Sequence, residues 1–250
     1  MMGRGVFVTG TDTGVGKTLV ACGLACSLRD RGYTVGVMKP VETGCAEKEG
    51  QLFPQDAFHL RQASGCNYPL DLICPYIMPL PLAPSVAAAA AGIQIDPSLL
   101  WKRYNDLSGS KDLTLVEGAG GLLVPLLPHY SYADLARSLD LPLIVVVSNR
   151  LGALNHALLT LEHAACLGLQ VLGYFLNNME GHPSPASESN AQILQSLTQI
   201  PCLGEIPYLP ALSPDGTPPE GDLSRLSSVF RASIDIRPLE ALLPRRPPGS

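Results

Sequence analysis

The stretch Gly10-Thr11-Asp12-Thr13-Gly14-Val15-Gly16-Lys17-Thr18 constrains this chain more than any other. It follows the short apolar run Val6-Phe7-Val8 and precedes a segment of helical period, Leu19 to Leu28. Strand, glycine-rich turn and helix in that order form a cradle for an anion. Successive backbone N–H groups and the positive end of the helix dipole converge on it, and the lysine reaches the terminal phosphates. Thr18 would offer its hydroxyl to Mg2+. The stretch departs from the strict pattern G-x-x-x-x-G-K-[ST], because Gly10 lies one residue too early and Thr11 holds the expected glycine position. The flanking strand and helix separate it from a flexible turn with a surface lysine.

At 250 residues the chain suits one α/β domain. Apolar, β-branched runs alternate with longer segments of helical period, the pattern of a parallel sheet covered by helices. The expected fold class is therefore α/β: a single P-loop NTPase-like domain, its sheet mostly parallel, with helices on both faces. Strands are expected near Val6–Thr9, Thr34–Lys39, Leu113–Glu117, Leu143–Ser148, Val171–Leu176 and Gly204–Pro207. Helices are expected over 17–30, 56–64, 84–91, 97–107, 132–139, 153–167 and 188–198. The loops at the C-termini of parallel strands gather along one edge, where open α/β sheets bind ligands. Pro75–Pro84 carries four prolines and reads as a stiff extended loop. Glu180–Ser189 reads as a polar, mobile loop, and residues 211–250 as an irregular C-terminal segment and tail.

Composition removes several function classes. Hydrophobic residues make up 46% and charged residues 16%, enough for a buried core and too few charges for a disordered chain. The net charge is −5 with no basic block, which argues against nucleic acid as a partner. The seven cysteines are scattered and none forms C-x-x-C, so neither a zinc site nor a redox pair is indicated. Reduced thiols fit a cytoplasmic setting. No apolar run approaches the roughly 18 residues of a membrane span. The first core strand begins within five residues, which leaves no room for a signal peptide.

Further chemistry-bearing residues fall where the fold would bring them to the same edge. Lys39-Pro40-Val41-Glu42-Thr43-Gly44 closes the second strand. A lysine there, followed by a proline-stiffened loop, can neutralise charge on a transferring phosphoryl group. On position alone it also suits a solvated strand end. Asp56 stands at a helix start, where N-capping is its simplest role. Glu117 ends an apolar run and precedes Gly118-Ala119-Gly120-Gly121. A carboxylate near a phosphate loop can hold Mg2+, and the glycines let backbone approach a ligand. Thr18, Asp56 and Glu117 together would supply an all-oxygen Mg2+ set. Finally, Arg150-Leu151-Gly152-Ala153-Leu154-Asn155-His156 turns into a helix. Its free N–H groups suit a carboxylate, although ordinary capping explains them as simply.

Taken together, Gly10–Thr18, Lys39–Gly44, Glu117–Gly121, Gly152–Ala157 and Gly204–Pro207 resemble the dethiobiotin synthetase family, in that family's order and spacing. The resemblance spans residues 5 to about 210. It implies an ATP- and Mg2+-dependent cyclo-ligase of biotin biosynthesis. Its substrates would be 7,8-diaminopelargonic acid, CO2 or bicarbonate, and ATP. One amine takes up CO2 as a carbamate, the carbamate attacks the γ-phosphate, and the neighbouring amine closes the ureido ring on the resulting anhydride. Lys17, Lys39 and Thr13 would be the catalytic groups. Thr13, Gly14, Val15, Gly16, Lys17 and Thr18 would cradle the phosphates, with Glu117, Asn177 and Pro207 completing the nucleotide site. Thr43, Gly120 and Gly121 would meet the diamine. Gly152, Ala153, Leu154 and Asn155 of a second subunit would take its distal carboxylate, making the enzyme a homodimer. The diamine chain would lie along Pro75–Pro84. Gly14 departs from the family, some members of which carry a glutamate there.

Two related classes fit less well. An ATP-dependent corrinoid amidating enzyme normally appends a glutaminase domain with a catalytic cysteine, and this chain has no such setting. A dimeric partitioning ATPase would want a lysine early in the phosphate loop, where Thr11 stands, and a basic face or terminal amphipathic helix.

Overall fold

Val6, Phe7 and Val8 are fully buried at the centre of a six-stranded sheet. The structure is a computed structural model and describes residues 4–209 and 223–243. In chain order the strands are β1 (Gly5–Gly10), β2 (Val35–Met38), β3 (Val41–Thr43), β4 (Ala46–Lys48), β5 (Gln51–Phe53), β6 (Tyr76–Met78), β7 (Leu113–Gly121), β8 (Pro125–Leu127), β9 (Tyr130–Ser131), β10 (Leu143–Ser148), β11 (Val171–Asn177) and β12 (Cys202–Ile206). The helices are α1 (Lys17–Asp30), α2 (Gln55–Ser64), α3 (Leu70–Ile73), α4 (Pro84–Ala91), α5 (Pro97–Ser108), α6 (Tyr132–Ser138), α7 (Ala153–Cys166), α8 (Pro185–Leu197), α9 (Leu223–Ser233) and α10 (Arg237–Glu240).

The main sheet runs β12-β11-β10-β1-β7-β2, and every neighbouring pair is parallel. All six C-termini therefore open on one edge. Successive residues of β10 divide between two cores. Ile144 and Val146 join the larger one, while Val145 and Val147 pack with Ala157 and Leu161 of α7 and Leu194 of α8. Helices thus cover both faces, as the uninterrupted apolar runs require. Among the described residues no helix is long and apolar enough to cross a membrane. All seven cysteines are free.

The structure corrects the sequence reading in several places. Pro75–Pro84 is not a bare loop: Tyr76–Met78 pairs in parallel with Val41–Thr43, and Pro84 opens α4 at its first position. Helix α8 starts at Pro185 rather than 188, because Ser184 caps it in a reciprocal capping box with Ser187. The segment 180–189 is therefore half helix. Strand β7 does not end at Glu117 but continues to Gly121, which pairs with Gly10. Strand β12 stops at Ile206, leaving Pro207 just beyond it and exposed.

The C-terminal segment is the largest revision. Within 211–250, the described residues 223–243 form α9 and α10, and the rest lies outside the described residues. Phe230 is fully buried over Gly23 of α1, where any Cβ would collide with its ring. Its ring centroid lies 6.5 Å from that of Phe175 on β11. Asp235 N donates to Leu203 O at 2.6 Å, so this segment also covers the β12 edge. Asp30 of α1 accepts from Ser227 Oγ, and at 2.7 Å from Arg231. No local pattern announces this, because α9 makes its contacts across two hundred residues of chain.

Candidate active site

Helix α1 begins with Gly16 in the left-handed region and no side-chain cap, so its first N–H groups face the loop Thr11–Val15. Lys17 Nζ donates to the Asp12 carbonyl at 2.9 Å, folded back over that loop. Burial and then the nearby Lys39 ammonium push Lys17 down to about 8. The Val15 side chain is in the core, so only its backbone is available to a ligand.

Asn177, at the end of β11, is 1% exposed and lies against this loop. Its Nδ2 donates to Val15 O at 2.9 Å and points at Met179 Sδ, also 2.9 Å away. Its Oδ1 is buried and has no hydrogen-bond partner. That orphaned acceptor is costly unless a ligand donor reaches it.

Lys39 follows β2 and is buried at the floor of the cleft. Its Nζ lies 2.5 Å from Asp56 Oδ2 and 2.6 Å from Glu117 Oε1. It is no solvated strand end. Burial opposes its charge, but the two carboxylates outweigh that and hold the ammonium well above the usual lysine value. Thr18 Oγ1 donates to Glu117 Oε1 at 2.8 Å. Burial raises the Glu117 carboxyl, while Glu117 Oε2 is shut from solvent with no partner. For Asp56, the Lys39 ammonium outweighs burial and lowers the carboxyl.

Asp56 is not the cap of α2, as its place in the sequence suggests. Pro54 holds the cap position without a side-chain acceptor, and Asp56 sits two residues further in. Glu42 of β3 does the capping instead. Asp56 N donates to Glu42 Oε1 at 3.0 Å and Ala57 N to Glu42 Oε2 at 3.1 Å. Burial and then the charge of Asp56 push Glu42 up to about 7, against those two bonds. Glu42 was legible only as a letter in the Lys39–Gly44 run, because a cap supplied by a different strand leaves no local signature.

A cleft of about 450 Å³ joins these groups. Of the residues singled out in the sequence, Thr13, Gly14, Gly16, Lys17, Thr18, Lys39, Thr43, Asp56, Glu117 and Gly120 line it. Pro81, Leu82, Pro84 and Val124 add an apolar wall. The other predicted residues lie elsewhere. Gly121 pairs with Gly10, while Asn177 stands behind the phosphate loop. Gly152, Ala153, Leu154 and Asn155 open α7 and do not reach the cleft within one chain. Ala153 is buried in the smaller core, so its side chain faces away from any ligand. No side chain caps α7, although Ala153 N already donates to Arg150 O at 3.1 Å, so local backbone capping satisfies part of that turn.

The donors suit Mg2+ better than any softer ion. Among the described residues no group of three or more His, Cys, Asp and Glu could hold a metal alone. Two carboxylates and one hydroxyl leave room for phosphate oxygens and water, as Mg2+ prefers. The unpartnered Glu117 Oε2 is the atom that most needs a cation.

A parallel sheet with this loop at its central strand defines a P-loop nucleotide-binding domain, and the sequence profile described as an AAA domain matches residues 4–215. Similar folds include the septum site-determining protein MinD complexed with Mg-ADP from Pyrococcus horikoshii, at TM-score 0.54, 18% identity, and coverage of 92% of this chain and 96% of that one. A ParA family ATPase from Chlorobium tepidum scores 0.54 at 17% identity, covering 93% of each. At such identity the likeness is one of fold. Sequence is more specific, and the chain belongs to the ATP-dependent dethiobiotin synthetase family. It is 41% identical over 222 residues to the ATP-dependent dethiobiotin synthetase BioD of Thermodesulfovibrio yellowstonii, covering 86% of this chain and 92% of that one. It is also 41% identical over 211 residues to the protein of that name from Aromatoleum aromaticum, covering 84% and 93%.

Proposed function

We propose that this protein carboxylates 7,8-diaminopelargonic acid with CO2 at the expense of ATP and closes the ureido ring, releasing dethiobiotin, ADP and phosphate. The observation that carries this reading is the Lys39 ammonium held between the buried Glu117 and the half-buried Asp56 carboxylates in the cleft that Lys17 and Thr18 also line. Carbamate, phosphoryl group and departing ADP are all anionic, and a low-dielectric cleft with preorganised cations favours their meeting.

One substrate amine loses a proton and forms a C–N bond to CO2. A carbamate oxygen then attacks the γ-phosphorus and the bond to ADP breaks. The second amine attacks the carbamic–phosphoric anhydride carbonyl, and phosphate leaves. Lys17 and the loop amides would hold the phosphates, with Thr13 at the transferring group. Lys39 would neutralise charge as it passes between carbamate and phosphoryl oxygens. Thr18, Asp56 and Glu117 would hold Mg2+, which supplies further positive charge at the β- and γ-phosphates when bound. The unpartnered Asn177 Oδ1 suits the exocyclic amine of adenine, with Pro207 beside the base.

Thr43, Gly120 and Gly121 would meet the diamine, and Pro81, Leu82 and Val124 would line its chain. The start of α7 at Gly152–Asn155, which no side chain caps, would take the distal carboxylate from a second subunit. Leu151, 88% exposed beside that start, supports a homodimer that covers it. A cytoplasmic setting accords with seven free thiols.

The deciding assay supplies ATP, Mg2+, bicarbonate and the diamine, and follows phosphate and dethiobiotin together. Phosphate release that ignores the diamine would replace this reading with a nucleotide switch.

A further inference from the structure

Glu42 is 6% exposed, which is rare for a carboxylate, and the proposed chemistry gives it no task. Its two oxygens serve two consecutive backbone donors at the start of α2. Those donors are among the four that every helix start leaves unsatisfied. If helix stability were the only need, Ser or Asp at position 54 would satisfy them locally. Pro54 does not. Instead the acceptor comes from β3, placed three residues after Lys39, and is buried beside the like-charged Asp56. That arrangement is unfavourable as capping alone, since two carboxylates share one buried neighbourhood. What it gains is a rigid link: the N–H of Asp56 itself is tied to the strand that follows Lys39.

We propose that Glu42 is a positioning residue, which by capping α2 from β3 fixes the Asp56 backbone so that its carboxylate meets Lys39 at the metal-holding corner of the cleft. With the Asp56 N–H held at 3.0 Å, only the side-chain torsions remain free, and the ammonium 2.5 Å from Oδ2 sets those. A site loosened by an ångström loses much of its metal affinity, as supporting hydrogen bonds around metal ligands commonly show. This rests on Asp56 acting with Mg2+ as read above.

The test uses the full chain and Mg2+-dependent ADP binding, followed by a fluorescent nucleotide, with thermal unfolding in parallel. Glu42→Ala is expected to raise the Mg2+ concentration for half-saturation about tenfold, leaving metal-free ADP affinity within about twofold. Glu42→Gln keeps one acceptor and the shape, so its shift should be smaller, and it decides the matter if the alanine variant fails to fold. Adding Pro54→Ser to Glu42→Ala restores a local cap; it should recover melting temperature but not the Mg2+ response. Recovery of both by Pro54→Ser, or an unmoved Mg2+ titration in both Glu42 variants, overturns the proposal. Wild-type ADP binding that is indifferent to Mg2+ overturns it too. A wild-type protein that binds Mg·ADP but makes no dethiobiotin defeats only the proposed reaction, and the Glu42 titrations still stand.

Discussion

The side-chain amide of Asn177 lies directly on Gly16, so close that a Cβ at position 16 would fall on Asn177 Nδ2. Gly16 also has φ +90, a backbone region that costs an L side chain about 1–2 kcal/mol. Two demands therefore meet at one glycine, the turn into α1 and the docking of β11 on the phosphate loop. Gly16→Ala should displace Asn177, break its bond to Val15 O and misalign the loop amides. We expect ADP affinity to fall at least about tenfold, with a lower melting temperature. ADP affinity within twofold of wild type would show that this contact does not shape the nucleotide site.

Lys39→Ala removes the counter-ion of the buried Glu117 and of Asp56. Breaking a buried pair from one side typically costs about 3–5 kcal/mol, because the remaining charge is uncompensated. Asp56 is partly open to the cleft, so we expect the lower part of that range. Added Mg2+ should restore some of the lost stability by replacing the ammonium's charge. Turnover should fall by at least about a hundredfold while ATP binding largely persists. Near-normal turnover would remove Lys39 from the mechanism.

Glu117→Gln keeps the shape and one acceptor for Thr18 but loses the charge at the unpartnered Oε2 position. The Mg2+ requirement of the reaction should rise about tenfold or more. An unchanged Mg2+ titration would show that Glu117 is only the structural partner of Lys39.

The phosphate loop, Lys39 and Glu117 were legible because each signal is local: an apolar strand, then an abrupt change of residue type at its end. Parallel pairing does the rest, since it brings all such ends to one edge. Asp56 was legible as a helix-start residue but not as the partner of Lys39, because its cap is delivered by Glu42 from another strand. The three-residue pairing of Val41–Thr43 with Tyr76–Met78 has no pattern of its own. The early start of α8 was readable, with Ser184, Pro185 and Ser187 in cap order, but the surrounding polarity hid it. The Gly152–Asn155 turn resembles a ligand site in sequence yet stays apart from the cleft within one chain, since such a motif does not say which copy it serves.

Lys17 gives the nucleotide site a pH dependence whose sign follows from its folded value of about 8, below the unperturbed lysine value of 10.5. The folded state carries a penalty wherever the lysine is charged in both states, below about pH 8, and this fades as pH rises toward 10.5. Bound phosphates favour the charged form. Below about 8 the proton is already in place and ADP affinity should be flat. Above it, binding must take up a proton, and the dissociation constant should weaken by up to about tenfold per pH unit. Calorimetry of metal-free ADP binding from pH 7 to about 9.5, in buffers of different ionisation enthalpy, reads both affinity and proton uptake. Constant affinity with no uptake would contradict the burial of this lysine.

Phe230→Ala tests whether the C-terminal helix belongs to the core. The ring is fully buried on the bare backbone of Gly23 and near Phe175, so no neighbour can move in to fill its place. Losing a buried phenylalanine costs about 3–5 kcal/mol, and the flat glycine surface argues for the upper half. Gly23 lies nearly two turns beyond Lys17 along α1, and the phosphate end of that helix is held separately by Asn177. Destabilisation should therefore leave turnover per folded molecule within about twofold at temperatures where the variant stays folded. Chemical denaturation gives the first quantity and active-site titration the second. A loss under about 1 kcal/mol would mean that α9 rests on the domain without being part of its cooperative unit.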